Sequence, residues 1–116
     1  MAIKLNRSSL DHARQLIADG KYVVDDTRAW SEHRPTAADE NRFIARHGFE
    51  EYSLWYLGVD HDARPDTKRR YKFPYGDFKK VHRGGVMSAE FRAMEYGYDD
   101  IKRAAARLRR VLGDLK

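Results

Sequence analysis

Between Arg64 and Arg83, the cations Arg64, Lys68, Arg69, Arg70, Lys72, Lys79, Lys80 and Arg83 face only two carboxylates, Asp66 and Asp77. Tyr71, Phe73, Tyr75 and Phe78 are threaded among them. Lysine and arginine neutralise phosphate or carboxylate, and flat aromatic faces stack on bases or pack on apolar surface. This composition therefore suits a polyanion or an acidic protein. It is chemistry of binding, with no bond made or broken. The local string RRYKFPYGDF puts Pro74 and Asp77 where an RNP1 motif needs other residues, so phosphate contact is expected and base readout is not. The competing reading has the same aromatics facing the core while the cations are solvated on the other side.

A second basic set, Arg103, Arg107 and Arg110, falls at helical spacing near the C-terminus and is a candidate phosphate-facing stripe. Acids at the start and bases at the end are also what the helix dipole favours in any solvated helix. Asp99 and Asp100 open that helix, where a helix-turn-helix reader would touch DNA, and phosphates would repel them. Trp30, in a polar stretch, is a candidate exposed anchor for a partner, together with Tyr71 and Tyr75. Ser31, Glu32 and His33 are the one place where a nucleophile, an acid and a base crowd together, a weak hydrolase signal because adjacency is not triad geometry. Asp60, His61 and Asp62 read as a solvated loop, since Arg64 and Pro65 break the calcium-loop pattern and no HExxH spacing is present. His12, His47 and His82 are scattered. No glycine loop cradles a phosphate, so no metal, cofactor or catalytic residue is expected.

The charge is divided along the chain. Residues 64–116 hold 15 Lys/Arg against 7 Asp/Glu, a net of +8, and residues 1–63 hold 8 against 11, a net of −3, so the total of +5 conceals a basic half. With 35% charged residues, against roughly 25% in an average soluble protein, a thin core filled by aromatics is expected. At 116 residues the chain fits one domain, 1–116. The absence of cysteine excludes disulfides, thiolate metal sites and a cysteine nucleophile. With no long apolar run at the start, a cytoplasmic protein without a membrane span is expected.

The elements that must position these residues follow from period and punctuation. Leu10, Ala13, Leu16 and Ile17 form the stripe of a first helix closed by Gly20, and Tyr22 to Val24 is a short β-favouring run. Trp30 to Arg34 reads as irregular. Thr36 with Asp39 resembles a capping box, which starts a helix reaching about His47. Phe49 to Leu57 is an apolar cluster at near-helical spacing, and residues 60–66 form an exposed loop. Tyr71, Phe73 and Tyr75 would share one face of an extended segment that Pro74 confines to an edge. A helix from about Gly85 to Gly97, with Val86, Ala89, Ala93 and Tyr96 inward, pairs with one carrying Ile101, Ala104, Ala105, Leu108 and Leu112.

The string from Tyr71 onward also resembles an element of small uncharacterised bacterial proteins and of some phage head-associated proteins. Its pattern is carried by Tyr71, Phe73, Pro74, Lys80, Val81, Arg83, Gly85, Val86, Ala89, Arg92, Ala93, Tyr96, Gly97, Asp100, Ile101, Ala104 and Ala105. The resemblance covers about a third of the chain. It implies an αα-hairpin and a phage or mobile-element connection, and no activity.

The expected fold is mainly α: four to five helices, an αα-hairpin over residues 85–112 and at most a short β-hairpin or extended pair. The expected function is non-catalytic binding of nucleic acid without sequence specificity, through Lys68, Arg69, Arg70, Lys72, Lys79, Lys80, Arg83, Arg103, Arg107 and Arg110. The alternative is an assembly factor that binds an acidic protein.

Overall fold

Thr36 begins a helix and Gly97 ends one in the structure, a computed structural model that describes residues 2–113. Among the described residues five α-helices make the fold mainly α, and two small sheets accompany them. In chain order the elements are β1 (Ile3–Leu5), α1 (Arg7–Ala18), β2 (Tyr22–Val23), α2 (Thr27–His33), α3 (Ala37–Ser53), β3 (Tyr56–Asp60), a 3-10 turn (Lys68–Arg70), β4 (Tyr71–Pro74), β5 (Val81–His82), α4 (Arg83–Tyr96) and α5 (Asp99–Gly113).

The capping box forms in both directions: the Thr36 hydroxyl accepts the Asp39 amide and the Asp39 carboxylate accepts the Thr36 amide. The helix it starts bends at Gly48, whose φ of +82° and ψ of 171° belong to a region essentially reserved for glycine. Beyond the bend the expected helix over Phe49–Leu57 is only half realised. It stops at Ser53, and Tyr56 and Leu57 enter β3, the central strand of an antiparallel sheet ordered β1-β3-β4. Hydrogen bonding on both edges favours extended backbone there, which the apolar pattern by itself cannot distinguish from a buried helix. The sheet register pairs Leu5 with Gly58 and Gly58 with Lys72. Strand content therefore exceeds the expected short extended pair.

Residues 30–34, expected to be irregular, lie largely in α2. The Asp26 side chain caps this helix by accepting the Ala29 amide at 2.7 Å, and Trp30 is buried beneath it, 4% exposed. Tyr71, Phe73 and Tyr75 do not share a face either. Phe73 has a φ of +65°, which breaks the alternation. Tyr71 packs near Phe49 and Tyr52, Phe73 meets Tyr98 edge-on, and Tyr75 stacks on Trp55 in the core. β4 is an edge strand with Pro74 at its end, where a missing amide costs no ladder bond.

At the C-terminal side, α4 ends on Gly97 in the left-handed conformation, φ +76°, and α5 returns against it. Ala89 and Ala93 of α4 and Ala104 and Ala105 of α5 are all buried, so small side chains let the helices approach closely. Arg109 ties the pair through Glu90 at 2.6 and 3.2 Å, and the Leu5 amide donates to Asp100 at 2.8 Å, joining β1 to α5. Tyr96, expected on the inner face, is 61% exposed; it is the last residue of α4, at the Gly97 connection to α5.

Candidate functional site

Two regions bring polar chemistry together. In the first, α3, β4 and α4 surround a cavity of about 500 Å³. Among the described residues its cations are Arg34, Lys68, Arg69, Lys72 and Arg92, and Glu40 is the one carboxylate in its wall. Tyr71, Phe73, Tyr96 and Tyr98 supply aromatic surface. Tyr96 and Tyr98 lie face to face with centroids 6.0 Å apart. Glu40 is not free to repel an anion, since it accepts Lys68 Nζ at 3.2 Å and the Tyr56 hydroxyl at 3.3 Å. The Tyr56 hydroxyl also lies 2.7 Å from that of Tyr52, and burial pushes the Tyr52 hydroxyl up to about 12. Both phenols stay neutral at physiological pH, so the net charge of the wall is positive.

The second region is built by the short parallel pairing of β2 with β5, which sets Val23 opposite His82 and so brings the Asp25 loop alongside the His82 ring. The His82 side chain is 5% exposed. Its Nδ1 lies 2.7 Å from Asp25 Oδ2 and its Nε2 lies 2.9 Å from Asp77 Oδ2. Carboxylates only accept, so each ring nitrogen donates and His82 is an imidazolium held between two anions. Burial alone would lower its pKa, but the Asp77 and Asp25 hydrogen bonds outweigh that and raise it.

The carboxylates are held in turn. Asp77 accepts the Lys79 and Lys80 amides at 3.0 and 2.7 Å, while Asp25 accepts the Gly84 amide at 2.7 Å and His33 Nδ1 at 2.9 Å. Burial would raise both carboxyl pKa values, yet the His82 and backbone hydrogen bonds prevail and both are lowered, Asp77 to about 2. With both nitrogens committed, His82 has no lone pair with which to act as a general base. His33 and Asp77 also line a second cavity of about 620 Å³, with Arg42, Arg46, His47 and Lys79 around it.

Comparison of the chain with protein-family models, with curated proteins and with solved structures found no match. Geometry and chemistry alone therefore carry the reading.

The sequence-selected residues divide among several places. Lys68, Arg69, Lys72 and Tyr71 line the first cavity, and Lys79 lines the second. Arg70 donates to the Ala63 carbonyl at 2.8 Å, Lys80 is exposed on the turn after Asp77, and Arg83 is half-buried at the start of α4. Arg103 and Arg107 are exposed on α5, as is Arg110 one turn on, and none of them lines either cavity.

Trp30 and Tyr75 are corrected. Trp30 reaches the first cavity only as part of its buried wall, packed near the His82 ring, and Tyr75 is 0% exposed with its hydroxyl donating to the Leu54 carbonyl at 2.6 Å. Neither ring stands out as an anchor, because each fills core space. Ser31 donates to the Arg28 carbonyl of its own helix while His33 turns to Asp25, so these two are not brought together.

Arg34 and Arg92 of the first cavity were not selected from sequence, nor were Asp25, Asp77 and His82. A weak signal existed for Asp77, the only acid in its basic run besides Asp66. Asp25 and His82 are 57 positions apart, and nothing local joins them.

Proposed function

We propose that the chain is a non-catalytic binding module that takes single-stranded nucleic acid, without sequence specificity, in the cavity between α3, β4 and α4. The observation that carries this reading is the lining itself: five cations against one already paired carboxylate, with Tyr71, Tyr96 and Tyr98 in the same wall. Cations of this kind release counterions from phosphates, and tyrosine rings stack on any base, which gives affinity without a code. A volume of about 500 Å³ suits a nucleotide or two of a single strand and is too small to seat a duplex. Lys79, Lys80, Arg103, Arg107 and Arg110 lie outside the cavity, where they add long-range attraction.

The test is fluorescence-anisotropy titration of labelled single- and double-stranded oligonucleotides from about 50 to about 200 mM salt, with an Arg69/Lys72/Arg92→Ala variant beside the parent. Preferential single-strand binding is expected, with a log–log salt slope that shallows by about 2 in the variant, at about 0.7 for each phosphate no longer neutralised. No binding at the lowest salt, or an unchanged slope in the variant, rejects the reading.

A second reading draws on α4, where Phe91, Met94 and Tyr96 are exposed beside Arg92. A protein-assembly role against an acidic partner, in keeping with the phage-associated resemblance, would use this face. It predicts a stoichiometric protein complex that forms without oligonucleotide and is abolished by Phe91→Ser.

A further inference from the structure

Asp25 Oδ2 is approached by two imidazole nitrogens at once, His82 Nδ1 at 2.7 Å and His33 Nδ1 at 2.9 Å. The three atoms lie within 4.8 Å of one another, and the two rings converge with centroids 5.2 Å apart. Every other polar atom that could turn this oxygen or the His82 nitrogen away is already engaged. Asp25 Oδ1 accepts the Gly84 amide, and His82 Nε2 points to Asp77, whose other oxygen is held by the Lys79 and Lys80 amides.

We propose that Asp25, His33 and His82 form a zinc site, with Asp77 orienting His82 from behind and the remaining coordination position opening towards the cavity lined by Arg42, Arg46 and Lys79.

The donor chemistry selects the ion. Two imidazole nitrogens and one carboxylate oxygen are a borderline set that suits Zn²⁺, whereas Mg²⁺ and Ca²⁺ call for oxygen ligands. Three protein ligands with an open fourth position are the arrangement in which zinc retains a water or takes up an anionic ligand. The Asp77–His82 pairing is the carboxylate–histidine arrangement that fixes a ligand's tautomer and orientation.

Geometry leaves room for the ion. Tetrahedral bonds of about 2.0–2.1 Å separate ligand atoms by about 3.3 Å, so each imidazole nitrogen must part from Asp25 Oδ2 by about half an ångström. His33, last in α2 with a side chain 43% exposed, has room for its share of that movement, and a small rotation of the Asp25 carboxylate opens the 2.7 Å separation from His82. Charge favours the ion as well: Asp25 and Asp77 set two carboxylates about the site, in a pocket where the Asp25 and His82 side chains are 6% and 5% exposed.

The test uses the full chain, freed of metal by chelator and then dialysed against Zn²⁺, with retained metal measured per chain. Co²⁺ serves as a visible-spectrum probe of tetrahedral coordination. One equivalent of zinc, tetrahedral cobalt bands and a zinc-induced rise in Tm are expected. His33→Ala, at an exposed position, should keep the fold and lose all three. Asp77→Asn should weaken zinc binding by about 10–100-fold. Failure of the parent to retain zinc stoichiometrically overturns the proposal, and so does retention unchanged in His33→Ala. If Asp77→Asn does not fold, the His33→Ala comparison decides by itself.

Discussion

His82 donates from both ring nitrogens to carboxylates, so in the metal-free protein it is a cation whose removal strands two anions. Breaking a buried pair by deleting one partner costs far more than the pair contributes, about 3–5 kcal/mol, because the remaining charge is left without compensation. His82→Ala is therefore expected to lose about 3–5 kcal/mol in urea unfolding of metal-free protein. A loss below about 1 kcal/mol would mean that water reaches Asp25 and Asp77 freely. Gly84, two residues on, is constrained by space. A Cβ on Gly84 would overlap the Asp26 carbonyl, with the Trp30 Cβ 3.0 Å away, so α4 can start here only if its second residue has no side chain. Backbone cannot rotate aside as a side-chain tip can, and Gly84→Ala should cost at least about 1–3 kcal/mol by the same measurement. A neutral result would show that α2 shifts against α4.

Single helices are decided by a few atoms at their ends, and α3 shows this twice. Thr36→Ala removes the hydroxyl that accepts the Asp39 amide and should destabilise the protein by about 1 kcal/mol. Gly48→Ala meets no atom within 4 Å, so any cost is purely conformational, about 1–3 kcal/mol for forcing alanine into a region reserved for glycine. Equal thermal midpoints for parent and Gly48→Ala would mean that α3 straightens. End signals of this kind were legible in the sequence, as Thr36 with Asp39 and Gly97 with the acids after it show. Leu54 to Leu57 was not. An apolar run of that length fits a helix or a buried strand equally well, and the choice is made by the strands that flank β3, β1 far away in sequence and β4 beyond a loop. Candidate-site legibility divides along the same line. The basic wall was visible because Lys68, Arg69 and Lys72 are neighbours along the chain. The Asp25–His82–Asp77 cluster was hidden because a two-residue parallel pairing assembles it.

Across the molecule, the core buries three tyrosines, Tyr52, Tyr56 and Tyr75, and this gives stability a dependence on alkali. Burial is the first cause that raises the pKa values of Tyr52, Tyr56 and Tyr75, Tyr52 to about 12. Above an unfolded value of about 10 the unfolded chain sheds these protons while the folded chain keeps them. The stabilisation is thus complete below pH about 10 and declines as pH rises towards the folded values, with a slope of about 1.36 kcal/mol per pH unit for each proton retained. Tyr75 gives the clean test, since it is fully buried and its hydroxyl donates to the Leu54 carbonyl. Tyr75→Phe should lose about 1–3 kcal/mol at neutral pH, where that carbonyl is left unsatisfied. The same variant should also show a stability–pH slope shallower by one proton above pH about 10, so that the stability curves of variant and parent converge in alkali. Urea midpoints measured across that range read both effects. Parallel curves would mean that the Tyr75 hydroxyl ionises inside the folded protein, which its place between Trp55 and the Leu54 carbonyl makes costly for an anion that would face an acceptor.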